Sequence, residues 1–173
     1  MAQKEKLIEV KDLKVSFGSG RKEFVAVDHV SFDIYKGETF SLVGESGSGK
    51  TTIGRTILRI NPAAHGEILF KGQRITGKIS KELDKEVIRK CQMIFQDPFS
   101  SLNPRMRVED IIAEPFRTHK IAAGSTLRQK VLSCMEAVGL DPSYARRYPH
   151  EFSGGQRQRI GIARALALNP KLI

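Results

Sequence analysis

A glycine-rich loop between a strand-like and a helix-like segment constrains the fold of this chain more than any other feature. The segment Gly44–Thr52 reads G-E-S-G-S-G-K-T-T. Apolar residues in Thr39–Val43 predict a buried strand before it, and Ile53, Ile57 and Ile60 recur at helical spacing after it. A loop in this setting presents backbone N–H groups to an anion at the start of a helix. The sequence therefore predicts a loop that binds nucleotide phosphates.

The residue types within the loop match this chemistry. Its glycines let the backbone turn and approach a phosphate without a Cβ in the way. Lys50 is predicted to reach the β- and γ-phosphates, and the Thr51 hydroxyl to bind Mg²⁺. An ordinary Gly/Ser-rich turn is the alternative, and the agreement of strand, spacing and helix argues against it. The candidate phosphate-binding residues are Gly44, Glu45, Ser46, Gly47, Ser48, Gly49, Lys50, Thr51 and Thr52.

A second helix start lies further along the chain. Residues Phe152–Arg159 read F-S-G-G-Q-R-Q-R, with Pro149 upstream as a helix stop and Ser153 placed as the N-cap of a helix that continues to Ala167. This segment resembles the signature motif of the ABC-type ATPases, usually L-S-G-G-Q, with Phe152 in place of the leucine. Read alone, this segment is only a capped helix start. When it follows a phosphate-binding loop, the motif is specific for the ABC-type ATPases.

A third segment, Met93–Pro98, reads as a short apolar strand that ends at Gln96, and any α/β protein could contain such a strand before a proline turn. In the ABC family this is the Q-loop. The resemblance implies that Gln96 contacts Mg²⁺ together with Thr51, acts in catalysis at the γ-phosphate and couples the site to a helical subdomain. The longer run Gln96–Met106 and the residues Tyr148–Glu151 resemble the peptide and nickel importer subfamily.

The resemblance implies an α/β fold with a P-loop NTPase core of the ABC type, an antiparallel β-subdomain and an α-helical subdomain, incomplete at the C-terminus. The expected division is a nucleotide-binding core with the β-subdomain at 1–100 and the helical subdomain at 101–167. Residues 168–173 are expected to begin the Walker B strand. The family places the Walker B aspartate and the catalytic glutamate after Ile173. We therefore expect residues 1–173 to be the N-terminal part of a longer ATPase, active only as the intact protein.

Alternating patterns predict the elements around these motifs. Strands are expected at 7–17, 25–34 and 67–70, and helices at 108–118 and 125–138, the last ended by Gly139. In the ABC family an aromatic ring at the end of the first strand stacks on adenine. Phe17 holds that position, and Phe24 competes for the role.

Composition narrows the function classes. The chain carries 29 Lys and Arg against 19 Asp and Glu, a net charge of +10, which invites a nucleic-acid partner. The basic residues are scattered, however, without an aromatic platform, so no nucleic acid is expected. No apolar run reaches the roughly 20 residues of a membrane span, and a charged N-terminus argues against a secretory signal. Cys91 and Cys134 are expected to be small buried residues without a disulfide.

The function that the resemblance implies is the ATP-binding subunit of an ABC importer for peptides or a related small solute. Its cofactors would be ATP and Mg²⁺, and it would lie in the cytoplasm on the inner face of the cell membrane. A second ATPase subunit, identical or different, would pair head to tail with it. In that dimer Ser153, Gly154, Gly155 and Gln156 would cap the ATP of the partner.

Further partners would be a transmembrane permease and, indirectly, a solute-binding protein. Two alternatives stay open at this point. One is a soluble ABC-type ATPase that acts on nucleic acid, which the basic charge favours slightly. The other is a nucleotide-binding protein that does not hydrolyse ATP.

Overall fold

The computed structural model describes residues 4–173, which form two compact units, one through Ile88 and one over Arg89–Ile173. The first unit is built on a four-stranded antiparallel sheet with the order β2-β1-β3-β4. Its strands are β1 (Lys6–Phe17), β2 (Phe24–Tyr35), β3 (His65–Phe70) and β4 (Gln73–Arg74). The first three confirm the strands expected from the alternating pattern, since one face of each carries the apolar side chains.

These apolar side chains form the core of the first unit. Its members on the sheet are fully or almost fully buried: Leu7, Ile8, Val10, Leu13, Val15, Val27, Ile34, Ile68 and Phe70. Helix α2 (Lys81–Lys90) is charged on its exposed side and buries Val87. A short 3-10 turn, Gly20–Lys22, joins β1 to β2.

Helix α1 (Lys50–Ile57) follows the phosphate loop and buries Ile53 and Ile57, as the spacing predicted. It is shorter than expected. The chain leaves the helix at Leu58, Arg59 takes a left-handed φ of 61°, and Ile60 is exposed. The prediction that Ile60 continues the helical face is therefore wrong.

The strand expected at Thr39–Val43 is not formed among the described residues. All five residues are exposed and unpaired in the sheet, Val43 to 94%, and only the Phe40 ring stacks on another ring, that of Phe32. A strand of a parallel sheet is stable when neighbours pair with it and helices cover both faces. Among the described residues no strand pairs with this segment.

The second unit is helical. It contains α3 (Pro98–Ser101), α4 (Val108–Thr118), α5 (Gly124–Ala137) and α6 (Gly154–Leu166). The helices expected at 108–118 and 125–138 are thus confirmed, and Gly139 ends α5 with a φ of 68°. Two 3-10 segments, Pro142–Arg146 and Pro149–Glu151, connect α5 to α6.

One apolar core holds this unit together. Helices α4, α5 and α6 and the segments between them contribute to it: Leu102, Val108, Ile111, Ile112, Ala113, Phe116, Val131, Met135, Leu140, Ala145, Phe152, Ile160, Ala163 and Ala167. Cys91 is buried and Cys134 is half-buried. Burial raises the pKa of the Cys134 thiol above its usual value.

The last residues of the chain pair with the segment that leads into Met93. Cys91 and Leu172 form a parallel bridge, and the Gln92 N–H donates to the Leu172 carbonyl oxygen over 2.9 Å. Within residues 4–173 a single bridge joins the two segments, and the assignment of residues 168–173 to the Walker B strand stays a prediction. Met93–Phe95 itself is not a strand, which differs from the expectation. Among the described residues no helix is long and apolar enough to cross a bilayer.

Candidate nucleotide-binding site

The phosphate loop turns into α1 through two glycines with left-handed backbone. Gly47 has a φ of 84°, and Gly49, the N-cap of α1, has a φ of 88°. Between them the Ser48 N–H donates to the Glu45 carbonyl oxygen over 3.2 Å, which closes a tight turn. These φ values favour glycine, because a Cβ in this region approaches the following carbonyl oxygen.

Gly49 is also held against β2. A Cβ built on it would lie 2.3 Å from the carbonyl oxygen of Ala26 and 3.3 Å from Cγ2 of Val27, whereas a Cβ on Gly47 would meet no atom within 4 Å. Only a residue without a side chain therefore lets the start of α1 lie this close to β2. The close approach makes the position of the loop depend on the sheet.

The ammonium group of Lys50 lies inside the loop. Its Nζ donates to the carbonyl oxygens of Gly44 and Glu45 over 2.8 and 2.5 Å and to Ser48 Oγ over 3.1 Å. An ammonium group has three N–H donors, so these contacts use all of them. A phosphate oxygen that replaces one neutral acceptor makes a stronger, charge-assisted hydrogen bond. The lysine lies within the loop that the sequence predicted to bind phosphate, and phosphate binding would require the exchange of one of these contacts.

The first turn of α1 completes an anion site. The leading N–H groups of a helix have no acceptor within the helix and carry partial positive charge. Thr51 is exposed in this turn, and Thr52 is half-buried. Glycine-lined backbone, a cation and an open helix start together fit a phosphate chain, and the exposed Thr51 hydroxyl fits a Mg²⁺ ligand.

The two candidate adenine-stacking rings lie side by side. Phe17 ends β1, Phe24 begins β2, and the two are direct partners in the ladder. Phe17 is 41% exposed and Phe24 is 63% exposed, so neither belongs to the core. Because both rings are exposed, core packing does not explain the aromatic residue at position 17. Phe24 remains the competing candidate for stacking on adenine.

Gln96 lies in the second unit, exposed, immediately before α3. Asp97 caps that helix, since its Oδ1 accepts from the Phe99 N–H over 2.8 Å. This backbone hydrogen bond, helped by that of Ser100, holds the pKa of the Asp97 carboxyl below its usual value. The cap gives the segment after Gln96 a defined backbone, although the sequence predicted no helix there.

Two arginines of α6 contact the segment after Gln96. The guanidinium of Arg157 lies 3.6 Å from the centre of the Phe99 ring, and Arg164 Nη1 donates to the Ser101 carbonyl oxygen over 2.8 Å. Burial lowers the pKa of Arg164. Sequence reasoning missed both residues. Their seven-residue spacing, which puts them on one face of a helix, was the available signal.

The signature segment begins α6 as predicted. Ser153 is the N-cap: its Oγ accepts from the Gln156 N–H over 3.3 Å, and its own N–H donates to Gln156 Oε1 over 3.0 Å. Gly154 and Gly155 are exposed, and no atom lies within 4 Å of a Cβ built on either. The helix start is therefore open to an anion or to a second molecule.

The burial of Phe152 explains why phenylalanine can replace the leucine of the family pattern at this position. Its side chain is buried in the helical core and meets the Tyr144 ring edge-on at 6.0 Å between centroids. The position before Ser153 is an apolar anchor and not a polar contact, so phenylalanine serves there in place of leucine. The phosphate loop and Phe17 lie in the first unit, and Gln96 and Ser153 in the second.

Comparison with known proteins identifies the family of these motifs. The family model described as ABC transporter matches residues 27–173. The chain is 56% identical over 170 residues to the oligopeptide transport ATP-binding protein AmiF of Streptococcus pneumoniae and 58% identical over 170 residues to OppF of Bacillus subtilis. Each match covers 98% of this chain and 55% or 56% of the relative, so the chain spans about half the length of these relatives.

Solved structures give the same fold. The ATP-binding cassette MJ0796, in a dimer bound to ADP and Pi, matches with a TM-score of 0.83 and 29% identity over 95% of this chain and 71% of that one. Another dimeric structure of MJ0796 matches with a TM-score of 0.82 and 28% identity, over the same shares of both chains. The predicted fold class is thereby confirmed.

Proposed function

Since this chain belongs to the ABC transporter family, we propose that it is the ATP-binding part of an importer subunit that couples ATP binding and hydrolysis to the uptake of oligopeptides or a related small solute. The observation that carries the proposal is the identity of 56% and 58%, over 98% of the chain, to two oligopeptide transport ATP-binding proteins. The glycine turn at Gly47 and Gly49 and the position of Lys50 before α1 support the proposal. The basic charge favours the nucleic-acid alternative only slightly, and the similarity to transport proteins does not favour it.

In this proposal the residues of Gly44–Thr52 bind the phosphates of ATP. Lys50 exchanges one of its loop acceptors for a β- or γ-phosphate oxygen, and the N-terminus of α1 stabilises the negative charge. Thr51 would hold Mg²⁺, a role that the family resemblance also implies for Gln96, and the ion would neutralise charge on the nucleotide phosphates. Phe17 stacks on the adenine.

The roles proposed for the signature segment at the start of α6 require a second subunit. We infer that two subunits pair head to tail, so that Ser153, Gly154, Gly155 and Gln156 of one cap the γ-phosphate held by the other. The open start of α6 and the dimers formed by the similar MJ0796 cassette support this arrangement. The dimer would close on ATP and drive a transmembrane permease on the inner face of the membrane, with a solute-binding protein acting upstream.

A chimera tests the transport function. In a Bacillus subtilis strain that lacks OppF, the matching part of OppF is replaced by this chain and the rest of OppF is kept. We expect the chimera to restore uptake of a labelled oligopeptide, and the same chimera with Lys50→Ala to restore none. A chimera that is produced normally, hydrolyses ATP and supports no uptake would contradict the importer assignment. A salt-sensitive shift of DNA or RNA by the chain would instead support the nucleic-acid alternative.

Calorimetric titration with Mg·ATP tests the phosphate loop. Lys50→Ala removes the cation of the loop, and one charge-assisted hydrogen bond contributes about 1.5–3 kcal/mol. We expect the affinity to fall by about 10- to 100-fold or more. Lys36→Ala is the matched control, because this exposed lysine pairs only with surface Glu5 in the described chain and should leave ATP binding unchanged. Equal affinities for the Lys50 variant and the parent would overturn the assignment.

A further inference from the structure

Three exposed side chains from three neighbouring strands converge outside the phosphate loop. His29 Nδ1 lies 2.7 Å from Asp12 Oδ1, and His65 Nε2 lies 3.0 Å from Asp12 Oδ2. The two imidazole rings are 5.7 Å apart between centroids. We propose that Asp12, His29 and His65 form a binding site for a divalent transition-metal ion such as Zn²⁺. The site is independent of the proposed transport function.

Irregularities in the sheet bring these residues together. Asp12 lies where the register of β1 shifts against both of its neighbours, between the pairs Val10↔Phe32 and Leu13↔Val30 on one side. A second shift, on β2, puts His29 opposite the same part of β1. A β-bulge turns a side chain out of the regular alternation. Two bulges in adjacent strands thus aim the carboxylate and one imidazole at each other, and His65 reaches them from the start of β3.

The backbone is strained at both bulges. Asp12 has a φ of 52° and His29 a φ of 47°, values that are uncommon for residues other than glycine. The arrangement is held by specific contacts: the Asp12 N–H donates to Ser31 Oγ over 2.8 Å, and a Cβ on Gly66 would lie 2.2 Å from the Asp12 carbonyl oxygen. Backbone strain in a well-held position often accompanies a functional role, since the surrounding structure maintains it.

The ligand set suits a borderline metal ion. Two imidazole nitrogens and a carboxylate oxygen are common ligands of Zn²⁺ and of other first-row divalent ions, with water in the remaining position. All three ligand atoms lie within 4.8 Å of one another. Tetrahedral zinc with bonds of about 2.0–2.1 Å separates its ligand atoms by about 3.3 Å. The two imidazole nitrogens contact different oxygens of the Asp12 carboxylate. A shared ion therefore requires these distances to lengthen by about 0.6 and 0.3 Å and the ligand atoms to close around it, which exposed side chains permit.

The charges around the cluster also favour a cation. His29 Nε2, the nitrogen that faces away from Asp12, lies 3.8 Å from Asp28 Oδ1. At this distance the carboxylate makes no hydrogen bond to the ring, but its negative charge favours a cation beside His29. Lys14 Nζ, 4.0 Å from the same Asp28 oxygen, is the cation that opposes this effect.

Metal titration of the untagged, metal-stripped chain tests the site without nucleotide. We expect calorimetry to show one Zn²⁺ per chain, and Co²⁺ to give the visible absorption bands of a site with nitrogen and oxygen ligands. The variants Asp12→Asn, His29→Asn and His65→Gln should each weaken Zn²⁺ binding by at least about 10-fold, since loss even of a supporting group costs 10- to 100-fold. Asparagine is chosen at 12 and 29 because it tolerates positive φ.

His150→Gln is the matched control, an exposed histidine in the other unit, and Lys50→Ala separates metal binding from nucleotide binding. Both variants should bind Zn²⁺ as the parent does. Three independent ligand variants keep the test decisive if one of them fails to fold. The proposal is overturned if the parent binds no Zn²⁺, or if the folded ligand variants bind it as tightly as the parent.

Discussion

Gly47 and Gly49 of the phosphate loop share the same left-handed backbone but differ in the atoms that surround them. This difference allows a prediction in which each glycine serves as the control for the other. Gly47 and Gly49 have φ values of 84° and 88°, so an alanine is strained equally at both positions. Only at Gly49 does the added methyl group meet another segment, the carbonyl oxygen of Ala26 at 2.3 Å. The difference between the two variants therefore isolates the close approach of α1 to β2.

The magnitudes follow from this geometry. A left-handed φ costs an alanine about 1–2 kcal/mol. At Gly49 the methyl group must also move by about 1 Å to reach ordinary contact distance, and overpacking of this kind costs about 1–3 kcal/mol more. We expect Gly47→Ala to lower the free energy of unfolding by about 1–2 kcal/mol and Gly49→Ala by about 2–5 kcal/mol.

Nucleotide binding should separate the variants further. A backbone carbonyl cannot rotate away as a flexible side chain can, so relief of the overlap at Gly49 moves the start of α1 away from β2. This displaces the N–H groups that face the phosphates. If the additional 1–3 kcal/mol is lost from the bound state, Mg·ATP affinity falls by about 5- to 150-fold relative to Gly47→Ala.

Urea titration followed by circular dichroism measures the unfolding free energies, and calorimetry measures the affinities for Mg·ATP. Gly37→Ala, at a φ of 78° in an open turn outside the loop, controls for backbone strain alone and should keep the parent's affinity. Equal affinities for Gly47→Ala and Gly49→Ala, with equal losses of stability, would refute the reasoning. The contact with β2 would then not position the loop.

Two further predictions concern other parts of the site. Phe17→Ala should weaken ATP binding more than Phe24→Ala in the same calorimetric titration, because the proposal assigns adenine stacking to Phe17, and the reverse order would transfer that role to Phe24. Asp97 has a lowered pKa, so its contribution to stability is complete above about pH 4 and is lost as the pH falls through the lowered value. Asp97→Asn should therefore flatten the acid side of the stability profile in urea titrations at several pH values, and a profile identical to the parent's would contradict the assigned cap.

Short-range signals explain why much of the molecule was predictable. Helix α4 occupies the range that its apolar spacing predicted, α5 ends at Gly139, and α6 begins behind the cap formed by Ser153. Each of these features depends on residues three or four positions apart. The phosphate loop belongs to the same class, because its glycines, lysine and helix start are neighbours in the sequence.

Pairing between distant segments was not predictable in the same way. Thr39–Val43 has the composition of a buried strand, yet it is exposed and unpaired in the described chain, because a strand exists only with partners. The Phe99–Arg157 contact likewise joins residues far apart in the chain, and the helical spacing of Arg157 and Arg164 could indicate a shared face but not what that face contacts.

The sequence by itself determined the phosphate loop, the signature helix and the family to which they point, because their chemistry lies in local backbone and neighbouring side chains. Only the tertiary structure decided that Gly49 must lack a side chain beneath the Ala26 carbonyl, and that Asp12, His29 and His65 meet. These three residues have no sequence spacing that indicates a metal site. Bulges in adjacent strands bring their side chains within hydrogen-bonding distance of one another. A bulge can be recognised only when the register of both strands is known.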